Sequence, residues 1–312
     1  MCTTFVYKNK YFGRNMDIDI PFGEKIIFTP DGYWDMYKCV NSSNKYKILG
    51  IGSLVNDTPL YAEAINEYGL YMAGLNFPYN AEYGNKKDDL LNLAPSELIP
   101  YFLGNYKNID ELQEDIKNLN IVNIEFKQDL PLAPLHFFLS DGNKNFVIEQ
   151  VKEGLKIYED KVGVLTNNPI YPYHIYNLQN YANLNVRNPH TYIFEENEYL
   201  PYGEGIGLFG LPGDFSPTSR YIRSAILKNY MEKHESINFV SDVFHLLDNT
   251  AMLRGSVITK NNRLDITRYS VCYSKLEGKI WIKTYDNFNV YSTSFSDFDR
   301  ELESIDFYSF SI

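Results

Sequence analysis

Cysteine is scarce in this 312-residue chain: Cys2, Cys39 and Cys272 are all it contains. Three cannot complete an even disulfide framework, and no pair has CxxC spacing. A reducing cytoplasm is the simplest compartment for such a chain. Long apolar runs are missing too. No stretch approaches the roughly 18 apolar residues that would span a bilayer, so no membrane partner is expected. The opening Met1-Cys2-Thr3-Thr4-Phe5-Val6-Tyr7-Lys8-Asn9-Lys10 lacks a basic start followed by an apolar stretch, so no signal peptide is expected. Positive charge is in deficit: 29 Lys and Arg against 40 Asp and Glu leave a net −11. Binding a phosphate backbone needs a cationic surface that releases counterions, so nucleic acid is not an expected partner.

Several catalytic signatures are also absent. His136, His174, His190, His234 and His245 show neither HExxH nor a paired spacing with cysteine, and no metal is expected. GxSxG does not occur; Gly52-Ser53 and Gly255-Ser256 are fragments that do not complete a nucleophile elbow. Gly205-Ile206-Gly207-Leu208-Phe209-Gly210 matches GxGxxG, but Pro201 and Gly203 precede it and Pro212-Gly213 follow. The dinucleotide fingerprint needs a strand before, a helix after and an acidic residue about 20 positions on, so the cluster reads as a loop rich in positive φ. No cofactor is expected.

What is present is an ordinary globular composition, 44% hydrophobic and 22% charged, with 27 Tyr and 20 Phe beside 2 Trp. So many tyrosines imply half-buried positions, ring packed and hydroxyl wet. Thr4–Tyr7, Tyr11–Asn15, Lys25–Phe28, Tyr46–Val55 and Leu70–Asn76 read as strands, punctuated by Gly and Pro turns. Asn108 with Glu111 three residues on, then Ile109, Leu112, Ile116 and Leu119, predicts a capped helix. Strands resume at Leu135–Ser140, Phe146–Val151, Leu155–Tyr158 and Val162–Thr166. Helices are predicted at Pro172–Leu184, after the Ser216-Pro217 start signal, and at Ser236–Leu253. Ile266–Tyr273 and Lys279–Tyr285 close the chain as strands. Strands and helices in segregated runs indicate α+β, with sheets between helix layers. Without repeat, low-complexity tract or long linker, residues 1–312 read as one domain.

Cys2 is the informative position. A small second residue permits removal of the initiator methionine, which leaves a thiol and a free α-amine on one residue. An α-amine titrates near about 8, so enough is neutral at pH 7 to act as general base without a histidine. A nearby cation favours the thiolate. The strand returning antiparallel to the first carries Arg14-Asn15-Met16-Asp17, a guanidinium and a carboxylate. Taken alone, Cys2 reads more readily as a small packing residue near the terminus and Arg14 as a surface cation.

Five blocks in order change that balance: Met1-Cys2-Thr3; Phe12-Gly13-Arg14-Asn15-Met16-Asp17; Gly74-Leu75-Asn76-Phe77-Pro78; Gly163-Val164-Leu165-Thr166-Asn167-Asn168-Pro169; and Gly210-Leu211-Pro212-Gly213-Asp214-Phe215-Ser216-Pro217-Thr218-Ser219-Arg220. Together they resemble the choloylglycine hydrolase family of N-terminal-nucleophile amidases, over essentially the whole chain. The family includes bile salt hydrolases and penicillin V acylases. The resemblance implies a four-layer αββα sandwich, the Ntn-hydrolase fold, and a homotetramer. It implies Cys2 as nucleophile, Arg14 beside the thiolate, Asp17 holding the α-amine, and Asn76 in the oxyanion hole. Asn167 would bond the amine or the oxyanion, and Arg220 would steady the tetrahedral intermediate. Singly, Asn76 and Asn167 are also turn-formers before proline, and Arg220 a helix-surface cation.

The setting of Asn76 is similar to bile salt hydrolases, where penicillin V acylases commonly place Tyr. Positions resembling steroid contacts are Met16, Val55, Ala62, Phe126 and Leu130, all apolar. The expected substrates are therefore glycine- or taurine-conjugated bile acids. The alternatives are a penicillin V or N-acyl homoserine lactone acylase using the same site, and an inactive protein that binds bile acids or acyl groups. Asn168 stands where Ser is frequent in the family, and Tyr79-Asn80 replace a small residue at the pocket rim.

Overall fold

The computed structural model describes residues 1–33, 37–127 and 130–310. Its N-terminal eighteen residues make a hairpin. β1 (Cys2–Tyr7) and β2 (Tyr11–Ile18) pair antiparallel, with Cys2 opposite Met16 and Thr4 opposite Arg14. The three-residue loop Lys8-Asn9-Lys10 closes it, with Lys8 and Asn9 at φ of 51° and 56° and the Lys10 N–H on the Tyr7 carbonyl. All of β1 is buried, so neither face meets water. Strand alternation still sorts its side chains: Cys2, Thr4 and Val6 share one face, Thr3, Phe5 and Tyr7 the other.

β3 (Lys25–Thr29), β4 (Ile48–Val55), β5 (Thr58–Asn66) and β6 (Tyr71–Asn76) follow as a meander. A short parallel pair, β7 (Leu91–Leu93) and β8 (Leu119–Ile121), brackets α1 (Leu98–Asn105) and α2 (Gln113–Lys117). β9 (Leu135–Ser140), β10 (Asn145–Val151) and β11 (Gly154–Glu159) extend the meander, and β12 (Val164–Leu165) returns to pair with β1. Next come α3 (Tyr171–Leu178), the exposed hairpin of β13 (Tyr192–Phe194) and β14 (Asn197–Tyr199), α4 (Pro217–Met231) and α5 (Phe239–Asp248). β15 (Ile266–Ser274), β16 (Lys279–Thr284), β17 (Tyr291–Ser294) and β18 (Glu303–Ile305) complete it.

Two large sheets result, antiparallel throughout, in the orders β12-β1-β2-β15-β16-β17 and β11-β10-β9-β6-β5-β4-β3-β18. One apolar cluster fills the space between them: Cys2, Val6, Phe12 and Met16 meet Ile65, Tyr71, Leu75 and Phe138. A second lies between the larger sheet and α1, joining Met72, Phe137 and Leu139 to Leu98, Phe102 and Leu103. A third packs Phe5, Tyr7 and Cys272 against Tyr221, Ile222, Val243 and Leu247 of α4 and α5. Helix, sheet, sheet, helix is the α+β four-layer arrangement expected. None of the helices among the described residues is long and apolar enough to cross a membrane.

Several element expectations are met closely. Ser216 caps α4 with Pro217 in its first turn, and its Oγ accepts from the Ser219 N–H. Around Gly205–Gly210 a short turn replaces any nucleotide loop: Gly205 and Gly210 have φ of 84° and 95°. Others are corrected. The helix at 108–119 contracts to the five residues of α2, although Asn108 Oδ1 does accept from Glu111 and the four apolar residues are all buried. The Ile109 N–H goes to Asp141 Oδ2 instead, and Leu119 joins β8. α5 starts at Phe239 with Asn238 as its cap, inside the wider Ser236–Leu253 span. Neither β5 nor α1 was expected.

Gly50 on β4 lies against β5 so closely that a Cβ there would fall 2.3 Å from the Glu63 carbonyl oxygen and 2.4 Å from the Ala64 Cβ. The obstruction is largely backbone and cannot rotate away. Gly50→Ala should therefore destabilise the fold by about 2–3 kcal/mol, at the upper end for overpacking, read as a lower urea midpoint.

Candidate active site

β1 carries the centre. The Cys2 thiol is nearly fully buried and faces the layer between the sheets, where Arg14 Nη2 lies 3.3 Å from Sγ and the Met16 sulfur 3.9 Å. Arg14 follows from the hairpin register: it shares the inter-sheet face with Phe12 and Met16. It also donates to the Gly74 carbonyl (2.8 Å) and stands 3.3 Å from Glu63 Oε2, both side chains fully buried. A charge at that depth needs a counter-charge. Glu63 supplies it, held in turn by the Tyr269 hydroxyl at 2.8 Å.

Arg220 grips the same strand from the opposite face. From α4 its Nη1 donates to the Cys2 carbonyl (2.5 Å) and Thr3 Oγ1 (2.7 Å), its Nη2 to Asn167 Oδ1 (2.7 Å), and its Nε to the Phe215 carbonyl (3.0 Å). Asp17 lies 3.7 Å from Arg220 Nη1; its Oδ1 accepts from Thr267 at 2.5 Å, while its buried Oδ2 has no hydrogen-bond donor among the described residues. The Cys2 N–H donates to Asn167 Oδ1 at 2.8 Å. In this structure that N–H is a peptide amide, because Met1 precedes it. The Met1 ammonium bonds the Asp17 carbonyl and lies 3.6 Å from Asp265.

Two arms flank the thiol. Asn76 is the last residue of β6, exposed where the five residues before it are buried. Its carbonyl accepts from Asn167 Nδ2 at 2.7 Å, tying the arms together. Buried histidines hold the second arm by its backbone: His136 Nε2 meets the Thr166 carbonyl at 3.1 Å and His174 Nε2 the Asn167 carbonyl at 2.9 Å. His136 also stacks on Phe77 at 4.2 Å and bonds Glu149, which accepts from the Tyr171 N–H. Burial drives His174 down to about 4, so its imidazole is neutral at physiological pH.

The structure thus brings Cys2, Arg14, Asp17, Asn76, Asn167 and Arg220 into one connected network. Of the five apolar positions, Met16 and Ala62 pack with Cys2 in the inter-sheet cluster. Val55 at the end of β4 and Phe126 beneath the Lys38 ammonium are half-buried, and Leu130 is exposed; all three stand outside that cluster. Glu63 and Tyr269 went unnoticed in the sequence, and His136 and His174 were weighed there as metal ligands. The one available signal was Glu63, a lone charge between alanines in a run otherwise suited to a strand. No group of acidic, His and Cys side chains among the described residues is arranged to hold a metal.

A thiol under a guanidinium, its own nitrogen bonded to the Asn167 side chain, is equipped for acyl transfer to sulfur. On this four-layer fold it defines an Ntn-type hydrolase of linear amide bonds. Residues 2–309 match the family described as linear amide C–N hydrolases, choloylglycine hydrolase family, and the chain belongs to that family. It is 41% identical to a bile salt hydrolase/transferase of Lactiplantibacillus plantarum, over 94% of this chain and 92% of the relative. It is 38% identical to a bile salt hydrolase/transferase of Clostridium perfringens, over 92% of this chain and 90% of the relative. A crystal structure of a variant conjugated bile acid hydrolase from Clostridium perfringens superposes with a TM-score of 0.93 at 34% identity, covering 98% of this chain and 97% of that one. Penicillin V acylase from Agrobacterium tumefaciens shares the fold at a TM-score of 0.77 and 18% identity, over 97% and 90% of the two chains.

His174 gives the site an acid limit. Its folded value lies below the ordinary histidine range, so between about pH 6.5 and 4 the unfolded chain binds the extra proton and stability falls with pH. Glu63, pushed up to about 7 by burial, works the other way, adding stability as pH falls through 7. A variant separates the two. His174→Gln should lose roughly 2 kcal/mol less than the parent between pH 7 and pH 4.5, by urea denaturation at each pH.

Proposed function

We propose that this enzyme cleaves the amide bond of glycine- or taurine-conjugated bile acids through the Cys2 thiolate, after removal of Met1. The observation that carries this reading is the Arg14 guanidinium 3.3 Å from a thiol whose own nitrogen already bonds Asn167, in a chain 41% identical to a bile salt hydrolase/transferase. The freed Cys2 amine takes the thiol proton. Asn167 Oδ1 and Asp17 Oδ2, which has no hydrogen-bond donor among the described residues, are the acceptors that orient the amine. The thiolate adds to the substrate carbonyl, and the oxyanion is met by the exposed Asn76 amide and N–H groups near Cys2. Each preorganised donor is worth about 3–4 kcal/mol. The amine then protonates the departing glycine or taurine nitrogen, leaving a thioester that water hydrolyses with the amine again as base. An amine in place of water would make the same thioester a transfer intermediate.

Arg220 spends its donors on β1, Asn167 and the Phe215 carbonyl, so its part is to hold the strand and amide against which the tetrahedral intermediate forms. Met16, Val55, Ala62, Phe126 and Leu130 would line the slot for the steroid. Burying a rigid apolar body costs little conformational entropy and gains about 25 cal/mol per Å2. The chain acts as one unit, since the thiol belongs to one sheet and Asn76 to the other. Intact Cys2, Arg14, Asp17, Asn76, Asn167 and Arg220 weigh against an inactive binding protein, and the chemistry suits a reducing cytoplasm.

The test is the ratio of kcat/KM for glycocholate and penicillin V on the enzyme without Met1. The ratio should be at least about ten, or ~1.4 kcal/mol of transition-state binding, and Phe126→Ala should narrow it. A ratio below one keeps the amidase and gives the substrate to the acylase reading. Cys2→Ser should lower turnover by orders of magnitude with substrate still bound, because Ser is a far weaker nucleophile with the same base. Full turnover in that variant would refute the mechanism.

The family's homotetramer is part of the proposal. Tyr192, Ile193, Phe194, Tyr199, Leu200 and Tyr202, in and just after the β13–β14 hairpin, are all more than half exposed, a patch suited to burial against another copy. Phe194→Asp should reduce the mass seen by light scattering to that of a smaller species. An unchanged mass would remove the hairpin from the interface.

A further inference from the structure

Arg14 is incompletely satisfied for a buried guanidinium. Its Nη2 serves the Cys2 sulfur and the Gly74 carbonyl, but Nε and Nη1 have no hydrogen-bond acceptor in line among the described residues. Glu63 Oε2 lies 3.3 Å from Nε and likewise lacks an in-line donor. The two attract by charge without locking into a fork, and the guanidinium is shared between a carboxylate on one side and a thiol on the other. Glu63 sits on β5 of one sheet, Arg14 on β2 of the other, and Tyr269 on β15 bonds the second carboxylate oxygen.

We propose that Glu63 is a positioning residue for the nucleophile: its ion pair holds the Arg14 guanidinium against the Cys2 sulfur and sets how much of that positive charge the sulfur feels. This rests on the reading of Cys2 as the reacting thiol. Glu63 itself touches no substrate, being fully buried behind Arg14. The groups facing it are Arg14 from β2, Tyr269 and Tyr273 from β15 and Tyr71 from β6. The three phenols are pushed up by burial and stay neutral, so Arg14 is the one cation among these groups that answers the carboxylate. Burial raises the Glu63 carboxyl to about 7, against the pull of Arg14 and Tyr269. Its charge therefore changes in the range where the enzyme would work. As Glu63 takes a proton, Arg14 loses its counter-charge and more of its field falls on the sulfur.

The experiment measures iodoacetamide alkylation of Cys2 against pH in the Met1-free enzyme, with peptide mass spectrometry to assign the label. Cys272 is fully buried, and Cys39 is pushed up to about 11, so both label slowly at neutral pH. Glu63→Gln keeps the shape and an acceptor for Tyr269 but removes the charge. Across a gap of roughly 8 Å at an effective dielectric of about 20, the alkylation midpoint should move down by about 1.5 pH units. The profile should also lose the inflection that Glu63 contributes, because that coupling is gone, leaving the thiol coupled to its own α-amine. With the tether weakened, kcat should fall by about three- to tenfold while KM stays within about twofold. Glu63→Asp, which keeps the charge, should return the midpoint toward that of the parent. Should Glu63→Gln not fold, Tyr269→Phe provides the same test: losing the donor that favours the ionised carboxyl moves the midpoint in the same direction by less. An unchanged or raised midpoint in the folded variant overturns the proposal. Alkylation needs no substrate, so it is read even if conjugated bile acids are not turned over, and failure of that reading leaves this test standing.

Discussion

Everything at the site depends on keeping a charged guanidinium in the dry layer between two sheets. Arg14 is fully buried, and removing such a charge from water costs several kcal/mol unless it is paired. The pairing is long-range in sequence: Glu63 comes from the other sheet, the Gly74 carbonyl from the strand beside it, and the Cys2 sulfur from the hairpin partner. Neither sheet can shift relative to its neighbour without exposing this charge to an uncompensated environment. Sheet packing and thiol environment are thus one constraint.

A second arginine makes the arrangement two-sided. β1 lies between Arg14 and Arg220, both fully buried, one facing the thiol and the other facing the backbone and Thr3. Because alternate residues of a strand point to opposite faces, a single buried strand offers its thiol to one layer and its anchoring groups to the next. Asp17 and Asn167 share Arg220, so the groups around the Cys2 nitrogen are tied to α4 rather than to the loop they sit beside. Precision of this kind comes from rigid elements that over-determine each side chain.

The asparagine arms are held with comparable care. Asn76 ends a strand, and Asn167 follows β12, yet His136, Phe77, Glu149 and His174 fasten the two together through backbone carbonyls and ring stacking. Keeping His174 neutral by burial leaves its own hold on the Asn167 carbonyl unchanged above its lowered value. Only in acid does it add a charge that the surroundings do not answer.

Local signals were legible where one short stretch carries the whole reason. Ser216 before Pro217 starts α4 because the hydroxyl meets a free N–H and proline lacks one, and the β1–β2 hairpin follows from its alternation. The order of Cys2, Arg14, Asp17, Asn76, Asn167 and Arg220 was legible too, through a family pattern rather than through spacing. Where two segments share the reason, the sequence was silent. α1 forms despite Pro100 and Gly104 because Leu98, Ile99, Phe102 and Leu103 bury against the larger sheet, a gain that outweighs weak helix propensity. β5 hides behind Pro59 and Glu63, although Asn56-Asp57, at φ of 50° and 60°, is a hairpin turn that marks its start. The amino-acid order by itself determined the β1–β2 hairpin, the Ser216 cap of α4 and which residue bears the thiol. Only the tertiary structure decided that Glu63 faces Arg14 and that two histidines hold Asn167 in place. Those contacts bring together residues up to dozens of positions apart: sheet packed on sheet buries the Arg14–Glu63 pair, and α3 packed on α4 buries the neutral His174 imidazole against Tyr221.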